Sequence, residues 1–339
     1  MTKRIRKTSP LSAQARKLWH RGVMVIALIA PFLSTVTFAQ AKPKVVVTST
    51  VLCDLTKQIA EDTIDLKCLI NPDTDPHVYQ PTPGDRIAIE QANLIFYGGY
   101  NFEPSLIRVI QSTTTSSPKI AVNEVAVPTP QMFDDEGEKV PDPHVWHSAA
   151  NGVKMAEVVR DNLKTLIPAN SDRYTTKTQT VTRQLTQLHD WIKTQISTIP
   201  ANQRKLVTTH DAFGYYSTAY GIPVVGALQG LTTEEAPTAQ RVAQLVREIR
   251  SESVPIIFTE LTVNPRLITA VAREANIKVS ERELYADGLG EAGGEADTYQ
   301  KMLIANTQTI VEGLGGRYTA PTLSVSADLL LDRVAVLAR

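Results

Sequence analysis

Short apolar, β-branched runs alternate with amphipathic stretches along most of the chain. Val45 to Ser49, Leu66 to Ile70, Leu94 to Tyr97 and Lys119 to Val122 read as buried parallel strands. Between them, Leu52 to Ala60, Gly84 to Gln91 and Pro104 to Ile110 carry helical spacing or helix-start signals, which predicts a β-α-β series. A second series begins at Leu206 to Thr208 and continues through Val224 to Ala227, Ile256 to Thr259 and Ile277 to Val279. Its helical segments are Phe213 to Tyr220, Thr238 to Arg250 and Pro265 to Ala275. The pattern predicts two α/β lobes with parallel central sheets. Between the lobes lie Val153 to Ile167, stopped by Pro168, and a long amphipathic stretch from Ser171 to Ile199. Its residues Val181, Leu185, Leu188, Ile192 and Ile196 recur at three- and four-residue spacing, with Ser171 placed as cap and Pro200 as stop. That is one helix of about eight turns. A rigid helix between two lobes limits hinge bending, unlike a flexible polar linker.

The first 41 residues break this pattern. Lys3, Arg4, Arg6, Lys7, Arg16, Lys17 and Arg21 precede the apolar run Gly22 to Leu33, which is short and interrupted by Pro31. This reads as a secretory signal, with Ala39 or Ala41 before the cleavage point. The expected division is therefore 1–41 signal peptide, 42–170 N-terminal lobe, 171–199 linking helix and 200–339 C-terminal lobe. The whole chain is formally neutral, with 35 Lys and Arg against 35 Asp and Glu. Without the leader, 28 basic residues face the same 35 acidic ones, since the leader holds seven basic residues and no acidic one. An acidic exported protein with no basic tract argues against nucleic acid as a partner and suits small cations. Cys53 and Cys68 are the only cysteines. In an oxidising compartment they can form a bridge, and two buried thiols is an equally open reading. A third reading, thiolates on a metal, is disfavoured because oxidation would remove them.

The chemistry concentrates in a repeated pentapeptide. Asp75-Pro76-His77-Val78-Tyr79 and Asp142-Pro143-His144-Val145-Trp146 share the form Asp-Pro-His-Val-aromatic in a chain with only six histidines. Each proline stiffens the loop and biases the preceding aspartate toward extended backbone, presetting the direction of the imidazole. A neutral imidazole held that way is the commonest metal ligand. In open parallel sheets ligands bind beyond the carboxyl ends of the strands, where His77, His210 and Asp287 also fall. His77, His144, His210 and Asp287 are separated by 67, 66 and 77 residues, so placement at strand ends, not short spacing, carries the constellation. Glu260 and the pair Glu234-Glu235 are candidates to orient imidazoles by hydrogen bonding. His147 is placed beside the site and His189 on the solvated side of the long helix; neither is assigned as a ligand.

These motifs, with Pro81-Thr82-Pro83, Thr209-His210-Asp211-Ala212-Phe213-Gly214-Tyr215-Tyr216 and Leu284-Tyr285-Ala286-Asp287, resemble the zinc and manganese solute-binding proteins of ABC importers (cluster A-I) from about Val45 to Leu314. The resemblance implies two α/β lobes joined by a long helix, with a metal site in the cleft between them. Its ligands carry over as His77, His144, His210 and Asp287. It also implies a periplasmic monomer, not an enzyme, that delivers a divalent metal to a membrane permease. Three imidazoles and one carboxylate suit tetrahedral Zn²⁺, while Mn²⁺ favours more oxygen ligands. The segment between the first two ligand motifs lacks the histidine-rich loop of many zinc-specific relatives, offering only Asp134, Asp135, Glu136 and Glu138, so Mn²⁺ stays open. No His-Glu-x-x-His helix supports a zinc hydrolase. A metal buffer or chaperone not coupled to a permease remains an alternative. Residues after Gly315 extend past the family's usual end, and Ser324 to Arg339 read as a terminal helix.

Overall fold

Val45, Val46 and Val47 are almost fully inaccessible because the two faces of their strand, β1 (Lys44–Val47), each pack into an apolar cluster, Val45 and Val47 into one and Val46 into the other. The structure, a computed structural model, describes residues 41–135 and 138–323. The expected signal peptide, apart from Ala41, and the expected helix in Ser324 to Arg339 lie outside the described residues.

In the first lobe, β1 is followed by α1 (Thr50–Ala60), β2 (Asp65–Cys68), α2 (Pro83–Gln91), β3 (Leu94–Tyr97), α3 (Pro104–Ser112), β4 (Lys119–Ala121) and α4 (Val122–Ala126). The four strands form a parallel sheet in the order β2-β1-β3-β4, with Val45 paired to both Leu66 and Leu94. The chain therefore reverses its winding direction between β1 and β3, the kind of crevice where open parallel sheets bind ligands. β5 (Met132–Asp135) then pairs antiparallel with β6 (Glu138–Pro141), a strand pair for which the acidic run Asp134 to Glu138 carries no sequence signal.

Two helices connect the halves, α5 (Ala149–Leu166) and α6 (Ser171–Ser197). On α6 the predicted stripe of Val181, Leu185, Leu188, Ile192 and Ile196 is buried, each such side chain contributing roughly 1.5–3 kcal/mol relative to exposure. Ser171 is not a cap: it is the first helical residue, and its hydroxyl donates to Pro168 O at 2.8 Å. The helix ends two residues before the predicted Ile199, where Thr198 N–H and Ile199 N–H turn back to Gln195 O and Ile196 O. His189 is half-buried against the ring of Tyr220, not solvated.

The second lobe repeats the winding of the first. It contains β7 (Leu206–Thr208), α7 (Gly214–Tyr220), β8 (Val224–Ala227), α8 (Ala239–Glu252), β9 (Ile256–Ile257), α9 (Arg266–Ala275) and β10 (Lys278–Val279). β7 pairs parallel with β8, β9 with β10, and Phe258 N–H donates to Val207 O at 3.0 Å, setting β9 beside β7. The resulting order, β8-β7-β9-β10, matches that of the first sheet. The last element among the described residues is α10 (Tyr299–Gly313), which no sequence signal placed. It packs on α6 and reaches α1, where Tyr299 N–H donates to Asp54 at 2.8 Å and Gln300 bonds Gln58 and Gln184. One apolar core consequently runs through both lobes around α6, and a smaller core lies on the outer side of each sheet. Cys53 on α1 is bonded to Cys68 at the end of β2, with Cα atoms 5.8 Å apart, which closes the alternatives left open by the sequence.

Candidate metal centre

Each copy of the pentapeptide is built by its own aspartate. Asp75 Oδ1 accepts from His77 N–H at 2.9 Å, and Asp142 Oδ1 accepts from His144 N–H at 2.9 Å. The proline between leaves no N–H to compete, so the turn presents the histidine. The first copy follows β2 and is tied down by Tyr79, whose hydroxyl donates to Asp85 at 2.8 Å. Asp85 and Thr82 form the capping box that starts α2, which explains why Pro-Thr-Pro follows this copy. The second copy follows β6 and leads directly into α5. Its Trp146 donates from Nε1 to Ala286 O at 3.1 Å, and Trp146 O accepts from the Tyr299 hydroxyl.

His210 lies two residues beyond β7. Glu260, at the carboxyl end of β9, accepts from the N–H groups of Thr209 and His210 at 2.9 and 3.1 Å and from His210 Nδ1. Leu284 bridges Glu260 in parallel fashion, which brings Asp287 to the same edge three residues later. The Asp287-Gly288 pair is not a simple turn signal. A Cβ on Gly288 would meet Thr50 Oγ1 at 2.9 Å, so glycine here permits the close approach of α1. Thr50 Oγ1 also accepts from Leu289 N–H at 2.9 Å.

All four predicted residues come together, two from each lobe, and each is at most 1 % exposed. His77 Nε2 and His144 Nε2 are 3.4 Å apart, as are His144 Nε2 and His210 Nε2. Asp287 Oδ1 stands 3.5, 3.4 and 3.2 Å from the Nε2 atoms of His77, His144 and His210. A tetrahedral ion with bonds near 2.0–2.1 Å places its ligand atoms roughly 3.3–3.4 Å apart. Five of the six edges of the cluster therefore have the length of a tetrahedral zinc site. Asp287 Oδ1 faces only these three Nε2 atoms, an arrangement costly for a buried carboxylate unless positive charge, on imidazole or on a metal, stands opposite it. Its Oδ2 accepts from Thr262 at 3.2 Å.

The carboxylates behind the imidazoles set their chemistry. Asp142 accepts from His144 Nδ1 at 2.8 Å and Glu260 from His210 Nδ1, which puts the proton on Nδ1 and turns the Nε2 lone pair inward. Burial works against a charge on His144, but Asp142 and Asp287 outweigh it and hold its pKa above the ordinary value. For His210 burial acts the same way, and Asp287 and Glu260 raise the pKa well above it. Burial disfavours the Asp287 anion, yet the histidines, His210 foremost, hold its pKa well below normal. Protons therefore compete with an entering cation for the same imidazole nitrogens.

The remaining candidates separate clearly. His147 is fully buried, stacked on Phe213, and its Nε2 donates to Ala286 O at 2.8 Å; burial, helped by His144, lowers its pKa to about 3. It supports the Asp287 loop and stays outside the cluster. Glu260 takes the orienting position suggested for it, whereas Glu234 and Glu235 are exposed and no hydrogen bond joins them to an imidazole. Asp142 is an orienting carboxylate that the sequence does not single out, because Asp75 stands in the same place of the repeated motif and does not bond the His77 imidazole.

Residues 45–313 match the family described as "ZnuA: Zinc-uptake complex component A periplasmic". The zinc-binding protein TroA of Treponema pallidum (strain Nichols) is 34% identical over 280 residues, covering 81% of this chain and 90% of that protein. The manganese ABC transporter substrate-binding lipoprotein PsaA of Streptococcus pneumoniae serotype 4 is 32% identical over 285 residues, covering 82% and 91%. Among solved structures, the periplasmic zinc binding protein TroA from Treponema pallidum superposes with a TM-score of 0.77 at 33% identity, covering 82% of this chain and 100% of the other. The fold and site define a two-lobed metal-binding receptor, and the chain belongs to the ZnuA family of periplasmic zinc-uptake components.

Proposed function

We propose that this protein is the periplasmic substrate-binding component of an ABC importer, which captures a divalent transition metal between its lobes and delivers it to a membrane permease. The observation that carries the reading is the convergence of His77, His144, His210 and Asp287 at tetrahedral spacing in a buried position between the lobes. Three imidazoles and one carboxylate favour Zn²⁺, and the manganese-binding relatives keep Mn²⁺ as the alternative cargo. Four protein ligands leave a tetrahedral ion no open position for activating water, which supports capture over hydrolysis. Action as a monomer and a periplasmic location after removal of residues 1–41 complete the proposal. No helix among the described residues is long and apolar enough to cross a membrane. Several relatives are lipoproteins by name, but both cysteines of this chain are paired with each other, so neither thiol is free for acylation.

Competitive loading tests the reading. Metal-stripped protein offered equal free Zn²⁺ and Mn²⁺ is expected to take up one ion per chain, with zinc displacing manganese. Retention of manganese would make the cargo manganese, and absence of stoichiometric binding would reject metal capture.

A further inference from the structure

The loop Gly98 to Glu103, between β3 and α3, carries strained backbone next to the cluster. Gly99, Tyr100 and Asn101 have φ of 87°, 50° and 57°, a left-handed run that includes two residues with side chains. Such strain persists only where the surroundings over-determine it, and it gathers at ligand clamps. The anchors are present. Glu103, itself 1 % exposed, accepts from the Thr48 hydroxyl at 2.5 Å and from Gly98 N–H at 2.7 Å. Glu124 accepts from Tyr100 N–H at 2.8 Å, and the Tyr100 hydroxyl donates to Val127 O at 2.6 Å. Phe102 N–H closes the turn on Gly99 O at 3.1 Å.

What these anchors hold in place is the ring of Phe102. It meets His77 edge-on with centroids 5.2 Å apart, approaches His144 at 5.9 Å and packs on Trp146 at 4.6 Å. We propose that Phe102 is a selectivity-determining residue: its ring walls the first-lobe side of the ligand set and denies the ion water as a fifth or sixth ligand. This rests on the metal-capture reading above. A metal-bound water needs hydrogen-bond acceptors for its protons, and an aromatic ring beside the ligands offers no carbonyl, carboxylate or hydroxyl oxygen to accept them. Zn²⁺ is satisfied by four ligands, whereas Mn²⁺ favours six and more oxygen. Excluding water therefore penalises manganese more than zinc, beyond what the ligand types alone achieve.

The test uses Co²⁺ as a spectroscopic probe in the wild-type protein and in the Phe102→Ala and Phe102→Leu variants, followed by Zn²⁺ against Mn²⁺ competition. Wild type and Phe102→Leu are expected to give the intense visible bands of tetrahedral Co²⁺. Phe102→Ala should lose that intensity while still binding one ion, and its zinc-over-manganese ratio should fall about tenfold. Unchanged bands and ratio in Phe102→Ala would overturn the proposal. A measurement on wild type alone does not depend on the variant folding: electron spin echo modulation of the Mn²⁺-loaded protein in deuterated water should detect no directly bound water, and one or more such waters would overturn it. If wild type binds none of the three ions, the metal-capture reading falls and this proposal with it.

Discussion

The two copies of Asp-Pro-His-Val-aromatic are nearly the same sequence, yet the structure uses them differently. In the second copy every side chain is turned inward: Asp142 holds His144 Nδ1, Val145 is fully buried and Trp146 reaches across to the Asp287 loop. In the first copy Asp75 leaves His77 Nδ1 without a partner and instead accepts from Thr233 of the second lobe, while Val78 is 44 % exposed. The second copy is an anchor fixed by buried hydrogen bonds, and the first keeps its histidine buried but its valine at the surface, tied to the other lobe through Asp75. The local motif therefore determines how the histidine is presented. Its surroundings determine how firmly it is held and how basic it is.

The largest effect that can break this comparison comes from removing the histidines themselves. Both His77→Ala and His144→Ala should weaken metal binding by more than about 100-fold, the upper end of what even supporting residues cost. They should differ in the metal-free protein. His144→Ala leaves Asp142 buried without its imidazole partner and should lose about 1–3 kcal/mol of stability, whereas His77→Ala breaks no side-chain bond at Nδ1 and should melt close to wild type. Equal melting shifts in the two stripped variants would remove the distinction between the two copies.

A smaller effect separates the two aspartates. Asp142→Asn cannot hold the Nδ1 proton of His144 as a carboxylate does, and should cost about 10–100-fold in affinity. Asp75→Asn keeps an acceptor for the His77 N–H and should change affinity much less. Protons give a second readout. His144 and His210 both have raised pKa values, so their protonated forms compete with metal, and affinity should fall as pH drops through that raised range. Titration calorimetry in buffers of different ionisation heat should find protons released on binding at neutral pH, with fewer released by Asp142→Asn than by wild type or Asp75→Asn. The same proton count in all three would mean that Asp142 does not set the charge of His144.

The same contrast marks what could be read from the chain alone. The strands Leu94 to Tyr97, Leu206 to Thr208 and Val224 to Ala227 were legible to the residue, because an apolar run bounded by turn residues is a local property. The stripe on α6 was legible for the same reason. The helix Tyr299–Gly313 was not, since it buries Gln300, Asn306, Thr307 and Thr309 along with its apolar residues, so the polar residues do not separate from the apolar ones and only a narrow polar strip at Lys301, Gln308 and Glu312 is left facing solvent. At the candidate site, the four converging residues could be picked out through the duplicated motif and the family resemblance. The carboxylates behind them divide. Glu260 was suspected from its place after a strand, but nothing in Asp75 and Asp142 as letters distinguishes a carboxylate bonded to imidazole from one bonded to a threonine of the other lobe.

The smallest test of the comparison uses the valines. Val78 and Val145 occupy the same position of the motif, and neither contributes a polar atom from its side chain, so substitution there probes burial without altering ligand chemistry. Val145→Ala removes apolar volume from a site with no solvent access, where full burial of a valine is worth roughly 1.5–3 kcal/mol and the cavity left behind adds to the loss. Val78→Ala acts on a side chain already 44 % exposed and should stay within about 0.5 kcal/mol of wild type. Denaturant unfolding of both metal-free variants measures the difference directly. An equal cost at the two positions would mean that the first copy is packed as tightly in solution as the second, and that the lobes close over Val78 more fully than the contact of Asp75 with Thr233 implies.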